Sequence, residues 1–269
     1  MFKSNYDEYL SLIKRNLFKL KFHDIEVPQG LCIIKDKVYI TCYKIDNTTS
    51  CVLEFDIEGN RLRTIDLHNR SHVGGISYDD KHNLVFICDT NGKVSSYSYP
   101  KFEKKNSYEI ANTKGEKLLE KGKYVCSYLT YFDNKLFVGS FNLRKNGFVK
   151  VFEIKREKEG IVLNYKYDFK VPKKTQGLTF YTKKDKTYLF ISKSYGRKSN
   201  SDINIYDFSY ENKEYLSKEK SIKLPPMLEQ ITTDENELVL LFESSAFKYR
   251  TTCKYIVDEL VTLDINKLV

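Results

Sequence analysis

The sequence predicts an all-β chain: a five-bladed β-propeller of four-stranded antiparallel blades, with a strand from the amino terminus completing the last blade. Three observations predict it. A short opening strand recurs five times, a strongly apolar second strand follows each copy, and the last copy lacks a fourth strand for which the start of the chain offers a donor. Composition agrees, since 21 Tyr and 17 Phe in 269 residues, with many Val, Ile and Thr, suit pleated strands better than helices.

The first segment, SNYDEYLSLIKRN, spaces Tyr6, Leu10, Ile13 and Leu17 on one helical face. Ser4 stands where an N-cap would, Asp7 and Glu8 fall in the first turn and Lys14 and Arg15 in the last, so a short amphipathic helix is expected within residues 1–16. LFKLKFHDI, residues 17–25, resembles a fourth strand in pattern and is the expected donor.

The five openings are PQGLCII, HVGGISY, VCSYLTYF, TQGLTFY and LEQITTD, with Leu31, Ile76, Leu129, Leu178 and Ile231 as equivalent anchors. Their spacings of 45, 53, 49 and 53 residues match a propeller blade, a meander that cannot bury its own faces. The second strands, VYITCY, VFICDT, LFVGSF, LFISKS and VLLFES, are near-continuous apolar runs, as strands covered on both faces must be. Third strands follow as VLEFD, VSSYSY, VKVFEI, INIYDF and LVTLDI, often after turn residues such as Gly59-Asn60 and Asn91-Gly92. Only four fourth strands follow, LRTIDL, SYEIA, LNYKYDF and SIKL. The expected blades span residues 27–67, 72–112, 124–170, 174–224 and 228–269, in a single domain. Pairing the first strand with the last blade would remove two exposed sheet edges, so a monomer is expected.

Several function classes are disfavoured. No apolar run approaches the length of a membrane span, and the start lacks the basic-then-apolar order of a secretory signal, which predicts a cytoplasmic chain unless a leader has been removed. The net charge of +9 invites a nucleic-acid reading, but the lysines are dispersed near turns and mixed with acids, as in a solvated rim. The six cysteines show no C-x-x-C pair and no zinc spacing with the four histidines, so neither metal nor cofactor is expected. Cys42 and Cys51 would face each other across a hairpin turning at Asp46-Asn47-Thr48; a bridge is conceivable, and free thiols suit a cytoplasmic chain.

In a propeller the starts of first strands and the ends of second strands meet at one mouth of the central channel. That places Gln29, His72, Gln176 and Glu229 with Tyr43, Asp89, Lys193, Tyr195, Arg197 and Glu243, a convergence of polar groups in a concavity. Gln29 and Gln176 suit either a ligand or the channel backbone. His72 suits a turn or an assisting base, and Lys193 and Glu243, at equivalent points of neighbouring blades, suit an ion pair. Arg197 can fork onto a carboxylate or hold its own loop. Glu229 and Glu243, two carboxyls at one rim, can shift each other's pKa and supply an acid or base.

The stretch TQGLTFYTKKDKTYLFISKSYGRKSNSDINIYDF resembles the blade signature of the plant and bacterial type of glutaminyl-peptide cyclotransferase, in which T-Q-G-L is followed by F-E-S-T-G and then Y-G-x-S. The likeness covers about one blade and is echoed by PQGL and LFESSAFKYR. It implies a five-bladed propeller and, at the mouth, cyclase-like chemistry. The family's glutamate in that blade is Ile191 here, and the E-G of its F-G-E-G-I opening reads Gly74-Gly75. HVGGI, the QGL blade and LFESSAFKY also look similar to bacterial propeller proteins. Glycosidase propellers open the first blade with Asp where Gln29 stands.

The expected function is therefore a propeller that holds a small polar molecule or a peptide at the channel mouth. The alternative is an enzyme, a glutaminyl-cyclase-like transferase or a hydrolase, with Glu229 or Glu243 as acid/base and His72 assisting.

Overall fold

The computed structural model describes residues 5–111, 113, 124–158, 160–209 and 214–269. After helix α1 (Asp7–Leu12) and strand β1 (Ile13–Lys19), four sheets follow in chain order. The first contains β2 (Glu26–Ile34), β3 (Lys37–Lys44), β4 (Cys51–Asp56) and β5 (Arg61–Asp66), and the second β6 (Ile76–Asp79), β7 (Leu84–Cys88), β8 (Lys93–Ser98) and β9 (Lys104–Glu109). The third contains β10 (Tyr128–Phe132), β11 (Lys135–Gly139), β12 (Gly147–Glu157) and β13 (Gly160–Val171). The fourth contains β14 (Thr175–Lys183), β15 (Lys186–Lys193), β16 (Ser201–Ser209) and β17 (Glu214–Leu224). The last sheet is β18 (Leu228–Asp234), β19 (Glu237–Phe242) and β20 (Glu259–Asp264), with β1 added outside β20. Each innermost strand touches the next around the axis, and β18 touches β2, so five blades form a closed ring.

The apolar second strands are explained by where their two faces go. Val38, Ile40 and Cys42 of β3 pack toward blade five with Val239 and Leu241, whereas Tyr39 packs toward blade two with Val85 and Ile87. β7 divides in the same way: Val85 and Ile87 face blade one, and Phe86 and Cys88 face blade three with Leu129 and Val138. A separate core thus lies between each pair of neighbouring blades, and a strand with a core on either side has no position for an outward polar residue.

The closing segment differs from expectation in its bounds. The helix stops at Leu12 and the strand begins at Ile13 rather than Leu17, because Ile13, Arg15, Asn16 and Lys19 pair with Leu263, Thr262, Val261 and Glu259. Six helical residues bring little intrinsic stability, so sheet pairing wins the following residues. Lys14 and Arg15, expected to favour the helix end, instead clamp Glu237 of β19 at 3.0 Å each. Tyr9 and Leu12 bury the helix against the core between blades four and five. Ser4, the expected cap, lies outside the described residues.

Turn chemistry follows the sequence. Asn60 donates its backbone N–H to Asp56 at 2.7 Å while Gly59 takes φ +85°, a conformation open to glycine. Cys42 and Cys51 are register partners, and their thiols are free and fully buried. No helix among the described residues is long and apolar enough to cross a membrane.

Candidate functional site

At the upper mouth, where first strands start, a cavity of about 470 Å³ is lined by Gln29, Tyr43, His72, Gln176, Tyr195, Arg197, Glu229 and Glu243 among others. Gln29 in β2, Gln176 in β14 and Glu229 in β18 each stand two residues before the blade's anchor, the same position in three blades. The backbone prepares this rim: Lys174 and Met227 adopt left-handed φ values of 67° and 68°, and their carbonyls receive the N–H groups of Ser194 and Glu243 at 2.9 and 2.8 Å. Each left-handed residue turns the chain into its first strand and fastens that turn to the end of the second.

Glu243 is the best-connected group. Its carboxylate accepts from Gln29 Nε2 at 2.8 Å and from the Tyr249 hydroxyl at 3.2 Å. Tyr249 in turn meets the Tyr43 hydroxyl at 3.2 Å, and Lys248 Nζ donates to Tyr43 at 3.1 Å. Arg197 lies 4.9 Å over the Tyr249 ring. Burial pushes the Glu243 carboxyl up to about 7 against the opposing pull of these donors and of Lys248 and Arg197. Glu229 is 7% exposed and meets Gln176 Nε2 at 3.3 Å. Burial first, and the nearby Glu243 second, hold its carboxyl well above the ordinary range. The cavity therefore disfavours the ionised form of both carboxyls.

His72 is exposed and stacks on Tyr43 at 4.5 Å; desolvation by the surrounding groups, with Lys248 second, lowers its pKa. Two of the expected residues lie elsewhere. Asp89 accepts from the Ser95 hydroxyl and pairs with Lys104 at 3.3 Å, and Lys193 pairs with Asp202 at 3.6 Å. The ion pair expected between Lys193 and Glu243 does not form; Lys193 turns to Asp202 on its own sheet, and Gln29 and Tyr249 both donate to Glu243 Oε1. Arg197 reaches Thr252 Oγ1 at 3.2 Å, and its carbonyl accepts the Lys254 N–H at 2.9 Å, so it fastens the blade-five loop. Ile191 is fully buried in the core between blades three and four, so the carboxyls of this mouth come from blade five.

Sequence reasoning missed Tyr249, Lys248 and Gln230. The first two sit on the long interval between β19 and β20, where two 3-10 turns, Glu243–Ser245 and Phe247–Tyr249, fold the chain back over the cavity. Gln230 stands where blades one and four have Gly30 and Gly177. Its amide crosses the axis: Oε1 accepts from Leu31 N at 3.1 Å and Ile76 N at 3.2 Å, and Nε2 donates to Ile76 O at 3.0 Å and Leu129 O at 3.4 Å. A Cβ on Gly30 would come within 3.1 Å of Gln230 Oε1, and one on Gly177 within 3.0 Å of Gln230 Cα. The shared Gly of the QGL openings thus sits where a Cβ would meet several neighbours, the Thr41 hydroxyl most closely at Gly30, with Gln230 among them at both positions.

No protein-family model matches the chain, and no curated protein matches it. Glutaminyl cyclase from Myxococcus xanthus has a similar structure, with TM-score 0.57 over 94% of this chain and 95% of that one at 10% identity. The likeness is one of fold. The β-propeller domain of Cps50 (Swd1) from Myceliophteria thermophila gives TM-score 0.48 at 12% identity, over 83% of this chain and 82% of that one.

Proposed function

We propose that the protein is a binding propeller whose upper mouth holds a small polar molecule or the end of a peptide. The observation that carries this reading is the Glu243 carboxyl, fixed by Gln29 and Tyr249 and raised to about 7, in one cavity with the buried Glu229. Two carboxyls with no salt bridge to a described residue favour a ligand that brings donors or positive charge, while the exposed Tyr195 offers a ring face to its carbon skeleton. Arg197 at the rim suits a carbonyl or carboxylate at the ligand's other end.

The pH dependence tests the charge of that ligand. A cationic ligand favours the ionised Glu243 carboxylate, so affinity rises with pH through about 7. A neutral acceptor bonded by the protonated acid shows the opposite slope. Titration calorimetry with short peptides and amines between pH 5 and 9, on wild type and Glu243→Gln, is the measurement. If no such compound binds, or if the variant binds every one unchanged, the reading is lost.

An acid/base enzyme is the second reading, favoured by a carboxyl that can take and return a proton at neutral pH. Chemistry of the glutaminyl cyclase kind is the natural first assay, on peptides with amino-terminal glutamine. Turnover abolished in Glu243→Gln with binding retained would establish it; absent turnover leaves the binding reading.

A further inference from the structure

The opposite, lower mouth holds a second cavity of about 460 Å³, formed where the first strands end, which shares no lining residue with the upper one. Its wall is a ring with one small polar residue per blade, each directly after the blade's anchor: Cys32, Ser77, Thr130, Thr179 and Thr232. Four of these residues are nine-tenths or more buried. Ser77 accepts the Tyr131 N–H at 2.8 Å, and Thr179 meets Thr233 at 3.3 Å. The Thr130 hydroxyl, on a residue only 7% exposed, has no hydrogen-bond partner among the described residues although it lines the cavity. That hydroxyl is open to the cavity, so its partner comes from there, either water or an occupant.

The rest of the lining narrows the occupant. It holds two aspartates, Asp80 and Asp133, the second paired with Lys135 at 2.8 Å, and no lysine or arginine lines it, so nothing in the wall favours an anion. No group of three or more His, Cys, Asp or Glu among the described residues is placed to hold a metal ion. Tyr131, Phe132 and Phe180 line the cavity; the Phe180 ring is buried against Phe132, Phe137 and Phe208, so Tyr131 and Phe132 supply the aromatic wall. Hydroxyls that both donate and accept, carboxylates that accept, and aromatic walls together complement a molecule dense in O–H groups on a carbon frame.

We propose that the lower mouth is a binding site for a neutral polyhydroxylated small molecule, a monosaccharide or polyol. The near-symmetric ring suits such a ligand, because equivalent hydroxyls around the wall find equivalent hydroxyls around a sugar. The site is independent of the upper mouth, since the Gln230 amide spans the channel between them.

The test is a titration of the full chain, followed by amide chemical shifts, with glucose, galactose, N-acetylglucosamine, myo-inositol and glycerol, and separately with calcium and magnesium chloride. At least one of the polyhydroxylated compounds should bind with Kd of about 1 mM or tighter and shift amides at the ends of β2, β6, β10, β14 and β18. Thr130→Val, which removes the hydroxyl and keeps the shape, should weaken that binding about fivefold or more. Should that variant fold poorly, Asp80→Asn at the exposed rim reads the same contact. Binding by none of the compounds, by the divalent cations alone, through upper-mouth amides, or with undiminished affinity in the variant overturns the proposal. None of these outcomes depends on whether the upper mouth binds its own ligand.

Discussion

The two mouths of the channel are built from the same five strands, yet one is irregular and the other nearly symmetric. At the strand starts, the position two before each anchor carries Gln29, Gly74, Ser127, Gln176 and Glu229; at the ends, the position after it carries Cys32, Ser77, Thr130, Thr179 and Thr232. The lower set varies only among small side chains. The upper set ranges from no side chain to a buried acid, and blade five lays a loop with Lys248 and Tyr249 across it. Repetition provides the scaffold, and departure from it creates a direction in which one ligand orientation differs from the others.

The division between the mouths depends on Gln230, so the largest expected effect comes from removing it. Gln230→Leu keeps the volume and strips the amide, leaving the N–H groups of Leu31 and Ile76 buried without their acceptor. Each orphaned group costs about 1–3 kcal/mol, so a loss of about 3 kcal/mol is expected in denaturant unfolding. A variant as stable as wild type would mean that water replaces the amide and that the channel is continuous.

The second effect separates the mouths by pH. A carboxyl raised from 4.5 to about 7 binds its proton more tightly folded than unfolded, so stability is greatest below pH 4.5 and is lost as pH rises through about 7. Glu229 acts in the same direction. His72, held below its ordinary value, acts oppositely, so the difference between wild type and Glu243→Gln is the informative quantity. The glutamine can still accept from Gln29 and Tyr249, and the variant should be more stable than wild type by about 2 kcal/mol at pH 8 and by nothing at pH 4. Identical melting curves at both pH values would remove the charge asymmetry on which the comparison of the mouths rests.

Smaller again are the rim substitutions. Arg197→Ala gives up the hydrogen bond to Thr252 and the contact over Tyr249, and Gln176→Ala frees Glu229 of its amide partner. Each should cost less than about 1 kcal/mol of stability, since the groups are exposed or half-buried. Both should weaken an upper-mouth ligand severalfold by calorimetry and leave the lower cavity unaffected. Loss of folding in either would make it a structural brace.

The repeat made the blades and the closing partner legible, because anchor spacing and double-sided apolar runs are written in local order. The start of β1 was not, since Ile13 to Asn16 satisfy a helical pattern and are claimed by β20 through pairing that only the closed ring provides. At the site, equivalence among blades located Gln29, Gln176, Glu229 and Glu243, whereas Asp89 and Lys193 occupy equivalent positions and turn to Lys104 and Asp202 on their own sheets. Gln230 was hidden by the same equivalence: it stands at a glycine position, and its role appears only in the hydrogen bonds its amide makes across the axis to Leu31, Ile76 and Leu129.

The finest contrast is between hydroxyls. Thr41 is fully buried above the plug, accepting the Gly30 N–H at 2.8 Å and donating to the Val73 carbonyl at 2.6 Å, so it ties blade one to the strand opening blade two. The hydroxyl of Thr232, half-buried in the lower ring, has no hydrogen-bond partner among the described residues. Thr41→Val should cost about 2 kcal/mol, the charge for stranding two buried backbone groups, whereas Thr232→Val should change stability by less than about 0.5 kcal/mol. Equal costs in parallel unfolding experiments would show that the lower ring is braced like the upper scaffold, and that its hydroxyls serve the fold instead of standing open to an occupant.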